Sequence, residues 1–302
     1  MEKVEYLGLP DCYKLSNRAV ELIVTTSVGP RILRYGFRNE ENILGEALDA
    51  TVETELGSWK PLGGHRLWAA PEANPRSYAP DNDAVKFESE GSRHIRLTQS
   101  VEAATGIQKE MTVMLDEEGS GVRVHHRITN RNLWPIETAP WALTIMNGGG
   151  EAVFPQEPYR AWSEYLLAAR PLVLWHYTDL SDPRWTIGRK YIRLKSDENL
   201  LEPQKIGLLN KQGWAAYLRR ETLFVKRAPY VEGATYPDYN SSFETYTAGS
   251  FIEVESLAPL QRLEPNASAD HTERWSLFRG VAVADRSEES LDAVLNPILS
   301  KT

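Results

Sequence analysis

The segment from Gly63 to Asn82, GGHRLWAAPEANPRSYAPDN, concentrates side chains that can hold a polar ligand. It combines acidic, basic and aromatic groups, namely His65, Arg66, Trp68, Glu72, Arg76, Tyr78, Asp81 and Asn82. Aromatic faces stack on the C–H side of a sugar ring, while guanidinium and carboxylate groups bind its hydroxyls. The three prolines and the weak apolar alternation predict mostly irregular backbone that forms part of a sugar pocket. The alternative is a structured surface loop in which Trp68 and Tyr78 fill a core.

Carboxylates are concentrated in a second segment, between Ser242 and Glu255. Glu253 and Glu255 share one face of a predicted strand, and Glu244 lies on the strand before it. Opening a pyranose hemiacetal needs a base for the anomeric proton and an acid for the ring oxygen, and a carboxylate and a histidine can fill these roles near neutral pH. The catalytic candidates are therefore His65, Glu255 and Glu244.

The substrate-binding candidates combine planar donors, carboxylates and rings, and they are Arg66, Trp68, Glu72, Tyr78, Asp81, Trp141 and Glu253. We expect His65, Arg66, Trp68 and at least one of the three glutamates to line a common concave surface. Each candidate also has a structural alternative. His65 can hydrogen-bond a loop carbonyl, Arg66 can form a buried ion pair, the tryptophans can belong to the core, and the acids can cap turns or form a solvated face.

The sequence predicts neither a metal nor a cofactor. His125 and His126 are adjacent on one predicted strand and point to opposite faces, so they cannot bind one ion together. No other recognised ligand spacing occurs, and the single cysteine, Cys12, excludes an internal disulfide and a cysteine-based zinc site. The triplet Gly148–Gly150 is followed neither by a Lys-Ser/Thr pair nor by a helix, which indicates a turn rather than a phosphate loop.

Composition narrows the classes of partner. The formal net charge of the 302 residues is -8 and no long basic run offsets it, which argues against nucleic acid. The beginning of the chain lacks the basic and apolar runs of a signal peptide, and no apolar run approaches the ~20 residues that span a bilayer. We expect a cytoplasmic protein whose partner is a small carbohydrate. The oligomeric state is not readable from the sequence.

Short β-rich runs separated by turn residues occupy nearly the whole chain. The runs begin at Tyr13, Ala19, Ile32, Val85, His94, Ile107, Val122, Ile136, Tyr191, Lys205, Trp214, Leu223, Ser242, Phe251 and His271. Helical spacing is clear only from Ser287 to about Leu295, where Ser287 can cap the helix. No linker or repeat divides the chain, so we predict a single all-β domain over residues 1–302. Its antiparallel sandwich covers roughly residues 1–285, and a short C-terminal helix follows.

Four segments resemble the galactose mutarotase-like superfamily, which includes aldose 1-epimerases. Val28–Leu44 (VGPRILRYGFRNEENIL) resembles its opening hairpin, and GGHR (Gly63–Arg66) resembles a segment with a substrate-binding arginine. Val122–Asn147 resembles the central strands, and Ser250–Phe278 resembles the closing strands. The resemblance covers nearly the whole chain, most closely an uncharacterised bacterial branch. It implies a β-supersandwich with a concave surface that faces carbohydrate.

The resemblance also identifies where the family's catalytic residues would lie. Its glutamate base aligns with Ala258, and its histidine aligns with Leu143, neither of which can transfer a proton. Three functions therefore stay open: an epimerase with relocated acid and base, a carbohydrate-binding or sensing module without catalysis, and a lyase or hydrolase on the same scaffold. If the protein is an enzyme, the resemblance implies a carbohydrate isomerase.

Overall fold

The computed structural model describes all 302 residues, which form 25 β-strands, two α-helices and one 3-10 helix at Arg76–Tyr78. The first twelve strands are β1 (Glu2–Tyr6), β2 (Leu9–Ser16), β3 (Val20–Thr25), β4 (Arg31–Phe37), β5 (Glu46–Ala47), β6 (Val52–Thr54), β7 (Gly57–Trp59), β8 (Leu62–Gly63), β9 (His65–Ala70), β10 (Lys86–Glu90), β11 (His94–Thr98) and β12 (Ile107–Leu115). The other elements are β13 (Val122–Asn130), β14 (Ile136–Met146), β15 (Glu151–Pro155), β16 (Leu172–Leu174), β17 (Trp185–Ile187), β18 (Tyr191–Lys195), β19 (Gln204–Leu208), β20 (Trp214–Arg219), β21 (Thr222–Arg227), α1 (Pro237–Asn240), β22 (Phe243–Ala248), β23 (Phe251–Leu257), β24 (Gln261–Leu263), β25 (Ser268–Phe278) and α2 (Glu288–Leu299).

Two large antiparallel sheets form a sandwich. The first sheet has eleven strands in the order β1-β2-β3-β4-β9-β14-β23-β22-β19-β16, with β24 paired to β14. The second sheet has ten strands in the order β10-β11-β12-β13-β25-β21-β20-β15-β18-β17. Two further sheets, β5-β8 and β6-β7, have two strands each. The predicted antiparallel sandwich is confirmed.

The main core lies between the two sheets. Along β12 every second residue is buried, because one face of this strand packs on the first sheet and the other is partly open. Tyr35 of the first sheet packs against Phe224 and Trp275 of the second, with ring centroids 6.2 and 5.8 Å apart. These three rings belong to a continuous core of 34 buried residues that holds the layers together.

The middle of the first sheet is buried on both faces. All six residues of β9 are buried, and so are nine consecutive residues of β14. The prediction of mostly irregular backbone from Gly63 to Asn82 is therefore wrong for its first part, since His65–Ala70 is a central strand. A strand covered on both faces does not alternate between apolar and polar residues, which removes the pattern by which strands are recognised.

The C-terminal helix α2 is also confirmed, and it ends four residues later than predicted, at Leu299. The Oγ of Ser287 accepts a hydrogen bond from the backbone N–H of Ser290 at 3.1 Å, so this residue caps the helix as expected. Leu291 and Leu295 pack on the outer side of the second sheet. The structure contains no helix with the length and hydropathy needed to cross a bilayer.

Candidate functional site

A cavity of about 520 Å³ opens on the outer face of the first sheet, the face turned away from the second sheet. Its volume is within the range of small-molecule sites, roughly 300–1,000 Å³. The cavity is lined by aromatic and apolar walls with a few charged groups, and the principal residues are Trp59, Arg66, Trp68, Glu72, Tyr78, Trp141, Leu143, Ile145, Trp175, Tyr177, Lys205, Tyr246, Phe251 and Glu253.

The register of the first sheet aligns one row of residues under this cavity. Arg66 of β9 pairs with Leu143 of β14, and Leu143 pairs with Glu255 of β23. Glu255 in turn pairs with Glu244 of β22. Because directly paired residues point to the same face, these four side chains share the outer face of the sheet. Leu143, the position that the resemblance assigns to a histidine, therefore lies in the floor of the cavity.

A second row lies two residues along the same strands. Ile145 of β14 pairs with Glu253 of β23, Glu253 pairs with Tyr246 of β22, and Tyr246 pairs with Lys205 of β19. All four side chains line the cavity. The outer face of five neighbouring strands thus supplies the floor of the site.

Lys205 is the central cation of this floor, and its side chain is 4% exposed. Its Nζ lies 2.9 Å from Oε2 of Glu244 and 3.7 Å from Oε2 of both Glu255 and Glu72. Burial alone would lower the pKa of Lys205, but the carboxylates raise it well above its ordinary value. The ammonium group therefore stays charged across the neutral range.

Two tryptophans enclose the Lys205 ammonium. Its Nζ lies 4.5 Å from the ring centroid of Trp141 and 4.6 Å from that of Trp175, both within cation–π range. The Nε1 of Trp141 also donates a hydrogen bond to Oε2 of Glu255 at 2.7 Å. The lysine, the tryptophans and the carboxylates therefore fix one another's positions.

The glutamates of the floor are hard to ionise. Burial raises the pKa of Glu244 well above its ordinary value and raises that of Glu255 as well, although Lys205 opposes both shifts. Both side chains are fully buried behind Lys205, which is a difference from the prediction that they contact the ligand directly. Burial and then the charge of Glu255 raise the pKa of Glu253 to about 7. Glu253 lines the cavity itself, with a side chain 12% exposed.

Arg66 is held between aromatic rings on the β9 side of the cavity. The carbon of its guanidinium lies 4.5 Å from the ring centroid of Trp59 and 4.8 Å from that of Trp68. Its Nη2 is 3.5 Å from Oε1 of Glu253. Burial lowers the pKa of Arg66 to about 10, so the group remains a cation near neutral pH. The guanidinium is thus a fixed donor beside the one cavity-facing carboxylate of the floor.

The loop after β9 extends this aromatic wall. The hydroxyl of Tyr78 donates a hydrogen bond to Oε1 of Glu72, whose other oxygen faces Lys205. The Tyr78 ring packs edge-on against Trp68 at 5.0 Å, and Trp68 packs edge-on against Trp141 at 5.3 Å. The two tryptophans line the cavity and also belong to a small buried aromatic cluster, so the structural role holds for both and ligand binding by them stays a prediction.

The placement predicted for His65 is wrong. His65 is fully buried on the inner face of β9, where its Nδ1 lies 2.8 Å from Oγ1 of Thr144 and its ring packs edge-on against Trp275 of the second sheet. Successive residues of a strand point to opposite faces, so His65 and Arg66 cannot both face the cavity. Arg66, Trp68 and Glu253 do line it together, as predicted.

Asp81 also lies apart from the cavity and forms a buried ion pair. Its carboxylate accepts hydrogen bonds from Nη1 and Nη2 of Arg31 at 2.5 and 2.7 Å and from Nε1 of Trp59 at 3.1 Å. Both carboxylate oxygens of Asp81 therefore accept hydrogen bonds from within the protein. Asp81 supports Trp59, which lines the cavity, rather than lining the cavity itself.

Several cavity residues were not singled out in the sequence, namely Trp59, Trp175, Tyr177, Lys205 and Tyr246. The sequence Trp175-His176-Tyr177 could have indicated a ligand-binding segment, because two large aromatic residues flank a polar one and the segment has no strong strand pattern. Lys205 gave no such signal, since a lysine at the start of a strand is usually exposed.

We expect Glu253→Gln to stabilise the protein at pH 8 and to have little effect at pH 5. Folding raises the pKa of the Glu253 carboxyl from 4.5 to about 7. The free energy of unfolding therefore falls as the pH rises through this interval, by up to roughly 3 kcal/mol. The amide avoids this loss because it cannot ionise. Thermal unfolding of both proteins at the two pH values checks the prediction, and a lower Tm for the variant at pH 8 would contradict it.

Comparison with known proteins supports the fold and not a particular reaction. No protein-family model matches the sequence, and no curated protein does. Among solved structures, the chain is similar to a galactose mutarotase-like protein from Lactobacillus casei ATCC 334, with a TM-score of 0.55 and 12% identity over 88% of this chain and 100% of that one. It is also similar to a galactose mutarotase related enzyme from Lactobacillus acidophilus, with a TM-score of 0.54 and 7% identity over 89% of this chain and 98% of that one.

A third similar structure is a candidate aldose 1-epimerase from Klebsiella pneumoniae, with a TM-score of 0.59 and 10% identity over 94% of this chain and 82% of that one. Identities this low carry information about architecture alone. The antiparallel sandwich and these neighbours lead to one conclusion: the chain has the galactose mutarotase-like fold that its sequence resembles.

Proposed function

We propose that this protein binds a carbohydrate in the cavity on the outer face of the first sheet. The observation that carries the proposal is the combination, in one cavity, of aromatic walls with polar groups already fixed by ion pairs. Trp175 and Tyr177 offer ring faces, while Arg66, Lys205 and Glu253 offer charged groups at set positions. Such a combination suits a ring with one apolar face and a rim of hydroxyls.

The charges of the cavity favour a neutral or amine-bearing sugar over an anionic one. Glu72, Glu244, Glu253 and Glu255 surround the floor, whereas Arg66 and Lys205 are its two cations and both already face carboxylates. A phosphate or a carboxylate on the ligand would have to displace these carboxyl groups of the protein before it could pair with either cation. Sugar phosphates and uronic acids are therefore expected to bind more weakly than neutral sugars.

A thermal-shift screen of neutral sugars, amino sugars, uronic acids and sugar phosphates tests the binding proposal, because a ligand that binds the folded state raises its stability. For a ligand found in this way, Trp175→Ala should raise Kd about tenfold through lost ring contact. Trp162→Ala is the matched control, since Trp162 is 81% exposed and lies outside the cavity. Equal losses in the two variants, or no ligand in any class, would reject the cavity as a sugar site.

A second candidate function, epimerisation at the anomeric carbon, is favoured by the pKa of Glu253. A general base works best when its pKa is near the working pH, and Glu253 combines a pKa of about 7 with a place on the cavity surface. In this reaction Glu253 takes the proton of the anomeric hydroxyl, and the hydroxyl of Tyr78, which is hydrogen-bonded to Glu72, supplies the proton for the ring oxygen. Glu244 and Glu255 hold Lys205 in place rather than contacting the anomeric centre.

Exchange between anomers, followed by NMR, tests this reaction. Glu253→Gln should lower the rate about 10²–10⁴-fold while leaving Kd nearly unchanged, because it removes a proton transfer and keeps the shape of the side chain. If the wild type binds a sugar but exchanges its anomers no faster than buffer does, the protein is a binding or sensing module. Cleavage of an oligosaccharide panel would instead favour the lyase or hydrolase alternative.

A further inference from the structure

A second group of functional side chains lies between the two sheets, on the opposite face of β9 from the cavity. His65 of the first sheet meets His126 of β13 and Glu273 of β25, both in the second sheet. All three side chains are fully buried. His125 pairs with Asp270 on the open face of β13, so the two adjacent histidines do point to opposite faces, as expected. His126 finds its neighbours across the sandwich instead.

The three side chains aim one atom each at a common point. The Nε2 atoms of His65 and His126 are 3.1 Å apart, and Oε2 of Glu273 lies 3.6 Å from the first and 3.7 Å from the second. The point equidistant from three atoms with these separations lies about 2.0 Å from each, which matches Zn–N and Zn–O bond lengths of roughly 2.0–2.2 Å. An ion close to the plane of the three atoms would thus reach all of them without rearrangement.

The carboxylate of Glu273 is not hydrogen-bonded to either histidine. At 3.6 and 3.7 Å, its Oε2 is too far from the two imidazole nitrogens for a hydrogen bond, and it accepts instead from Nε1 of Trp275. One proton shared between His65 and His126 would join those two atoms and leave the carboxylate oxygen outside the contact. A cation bound to all three atoms would bring the carboxylate oxygen into the contact as well.

The surrounding groups orient His65 and Glu273 toward this point, while Nδ1 of His126 is buried without a hydrogen-bond partner. Oγ1 of Thr144 lies 2.8 Å from Nδ1 of His65, which leaves Nε2 for the site. Lys226 Nζ lies 2.7 Å from the other oxygen of Glu273, Oε1, and the Nε1 of Trp275 donates to Oε2 at 2.9 Å. Partners of this kind, which fix the orientation of histidine and carboxylate ligands, accompany metal sites in proteins.

We propose that His65, His126 and Glu273 form a structural site for a divalent transition metal, with zinc as the best match. Two imidazoles and one carboxylate are typical zinc ligands. Because the site is sealed between the sheets, the ion enters as the chain folds and thereby stabilises the folded state.

Refolding decides whether the site exists. The full-length chain is unfolded in denaturant with a chelator, refolded at pH 8 with or without zinc, desalted, and analysed for metal content and thermal unfolding. We expect about one zinc per chain and a Tm several degrees higher in the zinc-refolded protein. Wild-type protein that refolds in zinc without retaining stoichiometric metal, or retains it with no change in Tm, would overturn the proposal.

Two histidine variants locate the ion. His126→Gln should abolish zinc retention, whereas His271→Gln should keep it, because Nε2 of His271, which is also buried, contacts Oγ of Ser256 instead of the site. Equal retention by the two variants would show that the metal binds elsewhere and would reject the site. If either variant fails to fold, the wild-type measurement still decides, together with the visible spectrum of Co²⁺-refolded protein, which shows the absorption bands of protein-bound Co²⁺ if the ion occupies the site. Neither readout depends on carbohydrate binding.

Discussion

Replacing Lys205 by methionine is expected to lower the free energy of unfolding at pH 8 by about 3–5 kcal/mol. The substitution leaves the buried carboxylates of Glu244 and Glu255 without the cation that lies 2.9 and 3.7 Å from them. Burial already raises the pKa of both acids, and without the ammonium they can avoid the cost only by taking up protons. The loss should therefore be largest at pH 8 and shrink toward pH 5. Denaturant unfolding at both pH values measures it.

Two further variants separate the charge of Lys205 from its packing. Adding Glu244→Gln to the methionine variant should recover part of the lost stability, because one of the unpaired acids is then neutral. Lys211→Met is the surface control, since its pairing with Glu232 is exposed and should contribute less than about 1 kcal/mol. A Lys205→Met protein as stable as the wild type at pH 8 would refute the central role of this cation.

Asp81→Ala is expected to cost about 3–5 kcal/mol of stability, because it leaves the guanidinium of Arg31 buried without its partner. The two side chains are 1% and 3% exposed, and the pair is bidentate. Trp59 also loses the acceptor of its Nε1–H, so one wall of the cavity loosens. Ligand binding should be weakened less than stability, since Asp81 does not line the cavity. Chemical denaturation and a ligand titration below the unfolding range measure the two effects.

The matched control for Asp81 is Asp270→Ala. Asp270 pairs with Arg127 by two hydrogen bonds as well, but both side chains are more than 40% exposed, so its loss should cost less than about 1 kcal/mol. The double variant Asp81→Ala with Arg31→Met should be more stable than Asp81→Ala alone, because no buried charge remains unpaired. Equal effects of the two single aspartate variants would contradict the structural role of Asp81.

Strands with one open face are readable from the sequence. The predicted limits of Ile107–Leu115 agree with β12, and Ser287 caps α2 as its position before two glutamates indicates. In β12 the cause is local, because the two faces of the strand have different environments and the residues alternate accordingly. The resemblance of the chain to the galactose mutarotase-like superfamily added the architecture of the sandwich.

The candidate site was only partly readable, because its geometry depends on which face of a buried strand each residue occupies. Adjacent residues His65 and Arg66 separate into a sealed interior and an open cavity, and a strand covered on both faces carries no alternation that distinguishes them. Lys205 joins Glu244 and Glu255 because three strands pair in a particular register. The sequence by itself indicated most of the strands, but not β9, and the kinds of side chain available. Only the tertiary structure decided which of them meet, since pairing between distant strands sets both their distances and their burial.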